Sequence, residues 1–477
     1  MNLIGTNPKH LGSVFFVGLF CVVFGAIFAI HAETPIPILS TLVVTGVLVL
    51  LAPDFVFYVM LICVPFSFRY IISAQVEIQT PTEPLLGMLT AVFCLKKIVH
   101  RAINQDAKQQ EEGRFPLALP LIAYIAATFL PTFNSPDMFA TLKGAFRASV
   151  YMMSGFLAYE LIRNYQGLKT LFVSTFPSAS VAVVWTSCVL VYQIDQWQWR
   201  SAYDGTLFTN HAIYGAFAVV FFLIVLSRLI FDRSNYDRVF WTILLFVFGF
   251  GLMVCFSRGA WLSLIVAVGF LLMQIKTGEQ HKKVLFVGAA TVLFLLIVSF
   301  PGASHIAHER ISSVFNFQFA SNQVRLLRWG QALLMFLESP IIGKGYGAFA
   351  ILYEADASLL GEYTSQFQLG AHCEYLQVLA ELGIVGFAAW MWLIIAFFRY
   401  GFRALKSIED GFYRSLIIGL LSAELSLLVH FVVNNLLNGD AVAVPFWLIY
   451  GLLPTVVNIA KREGKVKLSS NLNEAMA

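Results

Sequence analysis

The stretch MVCFSRGAWLSLIVAV, residues 253–268, places a permanently charged arginine, Arg258, inside an apolar run of about thirty residues. A charge at the centre of a membrane helix costs about 2.5 to 3.5 kcal/mol. The run therefore reads as two spans, one ending near 256 and the next starting at 259, with Arg258 at the tip of a tight helical hairpin. At such a tip the guanidinium reaches the interface on its own stem.

The rest of the chain agrees with a membrane reading. Its 477 residues are 58% hydrophobic and 12% charged, with a mean hydropathy of +0.76, which excludes an ordinary soluble globular domain. A spanning helix needs about 20 mostly apolar residues. Candidate spans lie near 11–31, 36–52, 54–68, 82–95, 116–131, 145–162, 170–191, 207–227, 239–256, 259–275, 284–300, 377–398, 414–434 and 441–459. The second and third are joined only by APDF. The expected fold is all-α, a polytopic membrane protein of about 12–14 transmembrane helices. The run at 11–31 is too long for a signal peptide and exits through AIHAETP, a poor cleavage site, so it reads as a retained helix.

Lys and Arg positions give the orientation. With a cytoplasmic amino terminus, 22 of the 31 Lys and Arg residues fall in inside loops, so both termini are expected in the cytoplasm. The net charge of +4 then reports topology, and no polybasic stripe points to nucleic acid. Three regions are expected: a helix bundle over 1–300, a long external loop over 301–376, and further spans over 377–477. Long connections without a span tend to be functional. Within this one, NQVRLLRWGQALLMFLESP predicts an amphipathic helix that lies on the outer membrane surface, with an apolar face of Leu326, Leu327, Ala332, Leu333 and Phe336. IIGKGYGAF predicts a turn, and GAHCEYLQVLAELGIVG a second helix entering a span at Gly383 to Gly386.

The loop and the Arg258 hairpin hold the residues able to do chemistry. Arg258 is either an interface anchor or an anion ligand, since a guanidinium can hold two phosphate oxygens at once. Arg325 and Arg328 have the same dual reading, with Trp329 placed to stack on Arg325. His372 is the one histidine near the start of the second loop helix and could act as a base. Glu374, Tyr375, Gln377 and Glu381 surround it, enough polar groups to orient an imidazole or bind a sugar. Asn210 and His211 either cap the eighth span or face the same cavity. Asn434, Asn435, Asn438 and Asp440 read most simply as a turn, and QIDQWQWRSAYDG as an interfacial aromatic belt. Five of the six cysteines lie in or beside apolar runs, leaving only Cys373 outside, and no Cys/His spacing resembles a zinc site. P-loop, GxGxxG and GxSxG signatures are also absent. Neither metal nor nucleotide cofactor is expected.

In order and position, FSRGAWLSL, then RxxxWxxA (Arg325, Trp329, Ala332), SPIIGKGYGAF and AHCEYLQVLAELGIVGF resemble the O-antigen ligase and polymerase superfamily of GT-C-type membrane glycosyltransferases. The resemblance covers roughly residues 200–400. It implies transfer of a glycan from an undecaprenyl-diphosphate carrier to an acceptor at the periplasmic face of the bacterial inner membrane, without metal or nucleotide. It further implies that Arg258 and Arg325 contact the diphosphate and that His372 activates the acceptor hydroxyl. One position departs from the family pattern, where Cys373 replaces the usual asparagine.

Three readings follow. The first is ligation of the glycan to lipid A core or a similar acceptor, and the second is polymerisation of repeat units by the same site. The third, of another class, is a secondary transporter, which requires charges deep in the membrane and broken helices in related halves. Lys143, Arg147 and Glu160 are its best features, while the remaining candidate charges sit at helix ends.

Overall fold

The computed structural model describes residues 46–73, 76–103, 115–195, 203, 206–232, 237–275, 320–359 and 370–466. Expected spans at 11–31 and 284–300, and most of the aromatic belt, lie outside the described residues.

Among the described residues the chain is all-α apart from one small hairpin. Helix α1 (Pro53–Cys63) starts with proline near its first turn, where no backbone N–H is lost, and passes through a 3₁₀ turn, Val64–Phe66. The span expected over 54–68 ends there. Strands β1 (Phe68–Ser73) and β2 (Val76–Thr80) follow as an antiparallel pair, with Arg69 opposite Gln79 and its guanidinium 3.2 Å from Glu77. No strand was expected here; the alternation of polar and apolar residues in Val76–Thr80 is the signal that went unread.

Then come α2 (Thr82–Ile103), α3 (Ala118–Phe129), α4 (Met138–Leu161), α5 (Tyr165–Asp195), α6 (His211–Phe231), α7 (Arg238–Val254) and α8 (Arg258–Met273). After the break come α9 (Ala320–Glu338), α10 (Ala348–Leu359), α11 (Glu374–Ser407), α12 (Gly411–His430) and α13 (Asp440–Arg462). Among the described residues five helices are long and apolar enough to cross a membrane, within α5, α6, α11, α12 and α13. Several others, α7 and α8 included, are shorter apolar helices.

The carboxy-terminal helices thread through the amino-terminal ones. Helix α12 packs along α6 and α8, α13 along α4, and α11 along α3. The α4–α13 crossing is backbone on backbone: a Cβ on Gly155 or Gly451 would collide with the main chain of the other helix. Small residues at such crossings are how helices associate when lipid supplies no hydrophobic drive.

Polar residues at the helix ends sort into two groups. At one end Arg147 bonds Glu83 at 2.8 Å, Ser67 meets Thr82 at 3.0 Å, and Asn134 reaches Ser339 and Gly343 at 2.7 Å each. At the other Lys97 pairs with Glu160, Arg228 with Asp232 at 2.6 Å, and Tyr413 with Glu463 at 2.6 Å. The site lies at the first of these ends.

Candidate functional site

Three of the helices that begin at this end each bring one candidate residue. Asn210 caps α6, its side chain accepting from the N–H groups of Ala212 and Ile213 at 2.9 and 3.0 Å. Of the two roles open to it, capping is the one it fills. His211 is thereby the first residue of α6. Ser257 caps α8 through the N–H of Ala260 at 3.4 Å, making Arg258 the first residue of that helix. Cys373 caps α11, directly after His372. Aligned N–H groups make each of these ends electropositive.

Strain marks the same places. Among the described residues only Asp237, Phe256 and His372 adopt positive φ without being glycine; Phe256 is at 48° and His372 at 53°. Left-handed conformations at bulky residues persist where surrounding contacts over-determine them, and they cluster at functional sites.

Arg258 does not simply reach out to the interface. Its Nη2 donates to Oδ1 of Asn322 on α9 at 3.2 Å, and Nη1 of Arg325 donates to the same oxygen at 3.3 Å. Arg325 Nε also donates to the carbonyl of Val433, just after α12, at 3.2 Å. Two guanidinium groups from distant parts of the chain thus converge on one neutral amide.

Helix α9 is amphipathic, and the leucines of its expected apolar face point away from the protein, as a face laid on the membrane would. Arg328, Ala332 and Met335, spaced four and three apart, form the buried face, and Arg328 is only 5% exposed. Leu326, Leu327, Leu333, Leu334 and Leu337 are exposed among the described residues. Of the expected apolar face Ala332 alone is fully buried. A leucine gains nothing by leaving lipid for protein, whereas a charge gains a great deal by turning inward. Arg328, read either as a solvated charge or as an anion ligand, donates to the Gly370 carbonyl at 3.3 Å and lies 5.2 Å from the ring centre of Tyr353. Trp329 donates its indole N–H to the His372 carbonyl at 3.4 Å, holding the strained backbone there.

His372 is mostly buried and its pKa is pulled down to about 3. Burial is the main cause, followed by repulsion from Arg328, Arg325 and His211. The imidazole is therefore neutral at physiological pH, with a nitrogen lone pair available. The neighbouring Cys373 thiol makes no capping hydrogen bond although the N–H groups of Tyr375 and Leu376 point at it, and burial raises its pKa.

The polar residues after His372 brace the site. Glu374 is buried and accepts from the N–H of Leu436 at 3.0 Å; Tyr375 donates to the Leu428 carbonyl at 2.9 Å; Gln377 accepts from the N–H of Ala371 at 3.2 Å. Glu381 accepts from the N–H groups of Gly347 and Phe349 at 2.9 and 3.2 Å, capping α10. Only its first two residues, Ala348 and Phe349, fell in the expected turn, and the helix itself was not expected. The turn itself, with Gly343, Gly345 and Gly347 all at positive φ, lies flat on the start of α11; a Cβ on Gly343 would strike the Glu381 carbonyl. Helix α11 breaks at Gly383 (φ 62°), where the loop helix was expected to meet the span.

Asn322 and His430 are absent from the sequence reading. Asn322 precedes Arg325 by three residues, a helical spacing that puts both on one face. His430, a lone polar residue in an apolar run just before two asparagines, is 1% exposed and packs on Gly259. Of the three charges that favoured a transporter, Arg147, inside α4, pairs with Glu83 and Glu77, and Glu160, near the end of α4, pairs with Lys97 and Arg163. Among the described residues no group of His, Cys, Asp and Glu could hold a metal.

An all-α membrane protein with two converging arginines, three helix N-termini and a neutral, strained histidine at one end has the makings of a transferase acting on an anionic substrate. Residues 243–391, which include Arg258, Arg325 and His372, match the family described as O-antigen ligase, the same superfamily that the motifs resemble. The match supports a function of the ligase or polymerase type in general. A comparison with curated proteins finds no match.

Proposed function

We propose that the protein transfers an oligo- or polysaccharide from an undecaprenyl-diphosphate donor to a lipid A core or similar glycan acceptor, at the periplasmic face of the bacterial inner membrane. The observation that carries this reading is the convergence of Arg258 and Arg325 on Asn322 beside His372. A diphosphate entering between the arginines displaces the single neutral oxygen they share and offers charged oxygens in its place.

The acceptor hydroxyl gives its proton to the neutral His372 as its oxygen attacks the anomeric carbon. The bond from that carbon to the phosphate oxygen breaks, and the electron pair leaves with the lipid diphosphate, whose growing charge the arginines stabilise. Donor binding also prepares the base. Repulsion from Arg325 and Arg328 holds the His372 pKa down, and a bound dianion offsets that repulsion, so His372 becomes basic when the donor is in place. The donor bond is already activated, and the scheme needs no nucleotide. The Lys/Arg bias of the loops supports cytoplasmic termini and an external site.

The test is reconstitution with an undecaprenyl-diphosphate oligosaccharide, with and without lipid A core. A single acceptor-dependent shift supports ligation. A ladder from donor alone assigns polymerisation to the same site, and no product from folded protein with its native glycan overturns transfer.

A further inference from the structure

His430 ends α12 with 1% of its surface exposed, and among the described residues neither ring nitrogen has a hydrogen-bond partner. A neutral imidazole always carries one N–H donor and one acceptor nitrogen. Leaving both unmade in a dry interior costs free energy that a structural histidine would avoid.

Its location says what the ring faces. A Cβ on Gly259, the residue after Arg258, would stand 2.5 Å from His430 Nε2 and 3.1 Å from Asn434 Nδ2. The ring therefore fills the space beside the first turn of α8 that any other residue at 259 would claim. Three residues on, the Val433 carbonyl holds Arg325. The segment 430–434 thus lies against both the first turn of α8, beside Arg258, and the Arg325 guanidinium. Arg325 and His211 are the charged and titratable groups that act on the ring.

We propose that His430 is a further anion-binding residue, donating its N–H to a phosphoryl oxygen of the diphosphate held by Arg258 and Arg325. The inference rests on the proposed transfer reading and names a ligand group that lies beyond the matched span of residues 243–391. Glycine at 259 in the SRGAW string is then explained as the opening through which the ring reaches the pocket.

The experiment is calorimetric titration of inorganic pyrophosphate into the full chain in lipid nanodiscs. Wild type binds, Arg325→Gln loses binding, His430→Phe weakens it about tenfold or more, and His430→Gln, which keeps an N–H donor, weakens it less. If Arg325→Gln loses binding while His430→Phe matches wild type, the inference is overturned and the transfer reading stands. If wild type does not bind, or Arg325→Gln binds like wild type, the anion site fails and the inference with it. Should His430→Phe not fold, ¹⁵N-histidine spectra of wild type decide. Pyrophosphate must move the resonance that His430→Gln lacks, and an unmoved resonance overturns the inference.

Discussion

Arg258 and Arg325, 67 positions apart in the sequence, donate to the same oxygen of Asn322, at 3.2 and 3.3 Å. Two planar forks that meet on one oxygen can present paired donors to the oxygens of a phosphate, and the proposed reading sets the diphosphate between them. Lysine lacks the planar fork, and Arg258→Lys should lower transfer about ten- to a hundredfold with thermal unfolding unchanged. Asn322→Asp is the sharper probe. A carboxylate there would pair with both arginines, so the variant should be at least as stable as wild type yet bind pyrophosphate poorly. Wild-type affinity in Asn322→Asp would mean that the ligand does not approach this oxygen.

The depressed pKa of His372, about 3 in the empty site, fixes a pH signature. The base must be unprotonated to act, and kcat/KM follows the free enzyme. Its acid limb should therefore stay flat down through pH 6.5 and fall only well below it. The kcat profile follows the loaded enzyme, where diphosphate offsets Arg325 and Arg328, so its acid limb should lie at higher pH than that of kcat/KM. His372→Ala should reduce turnover about 10²- to 10⁴-fold while pyrophosphate still binds. A kcat limb below the kcat/KM limb would refute the proposed link between donor and base.

The architecture was readable because lipid makes hydropathy a strong signal: the hairpin tip at Arg258 and the break at Gly383 both lie where the apolar runs meet. Arg258, Arg325 and His372 stood out as polar residues in unusual company. What the sequence hid on α9 was the buried side: Arg328 turns inward to the Gly370 carbonyl and the ring of Tyr353, partners that local spacing cannot reveal. Glu374, Gln377 and Glu381 looked like ligands for sugar, but their partners are backbone N–H groups of residues up to 62 positions away, which local spacing cannot reveal. His430 was hidden for a similar reason, because it meets Gly259 only in three dimensions.

Cys373 stands at the N-cap of α11 with no side-chain capping bond. Asparagine, the residue usual in the family at this position, is among the best N-caps because its oxygen accepts from the first free N–H groups. Tyr375 and Leu376 already aim theirs at the thiol. Cys373→Asn should therefore stabilise the protein by about 1 kcal/mol and leave transfer intact. A raised Tm with wild-type kcat is the expected result, and complete loss of activity would give the thiol a role of its own.

Gly259→Ala tests the fit of His430 against α8. The added methyl falls 2.5 Å from the ring, so one of them has to move, at a cost of about 1 to 3 kcal/mol. The Tm should drop, and His430→Ala in the same chain should recover part of it, since the smaller residue vacates the space. Thermal unfolding of the two single variants and the double variant gives the coupling directly. Additive losses would mean that the two residues do not compete for that space.

Glu424 decides between transfer and transport. It lies within α12, 0% exposed, and its Oε1 accepts from the Tyr450 hydroxyl at 2.8 Å. A carboxyl buried in a spanning helix is where proton-coupled transporters keep their relays, and it was overlooked when the charges were judged to sit only at helix ends. In a transferase this group only fastens α12 to α13. Glutamine offers the same carbonyl oxygen to Tyr450 but cannot carry a proton, so Glu424→Gln should transfer glycan within about threefold of wild type. Glu424→Leu, which leaves the Tyr450 hydroxyl unpaired, should instead lower the Tm. If Glu424→Gln keeps its wild-type Tm yet loses all glycan transfer, the carboxyl has a proton to move, and the protein couples glycan movement to a proton path through α12.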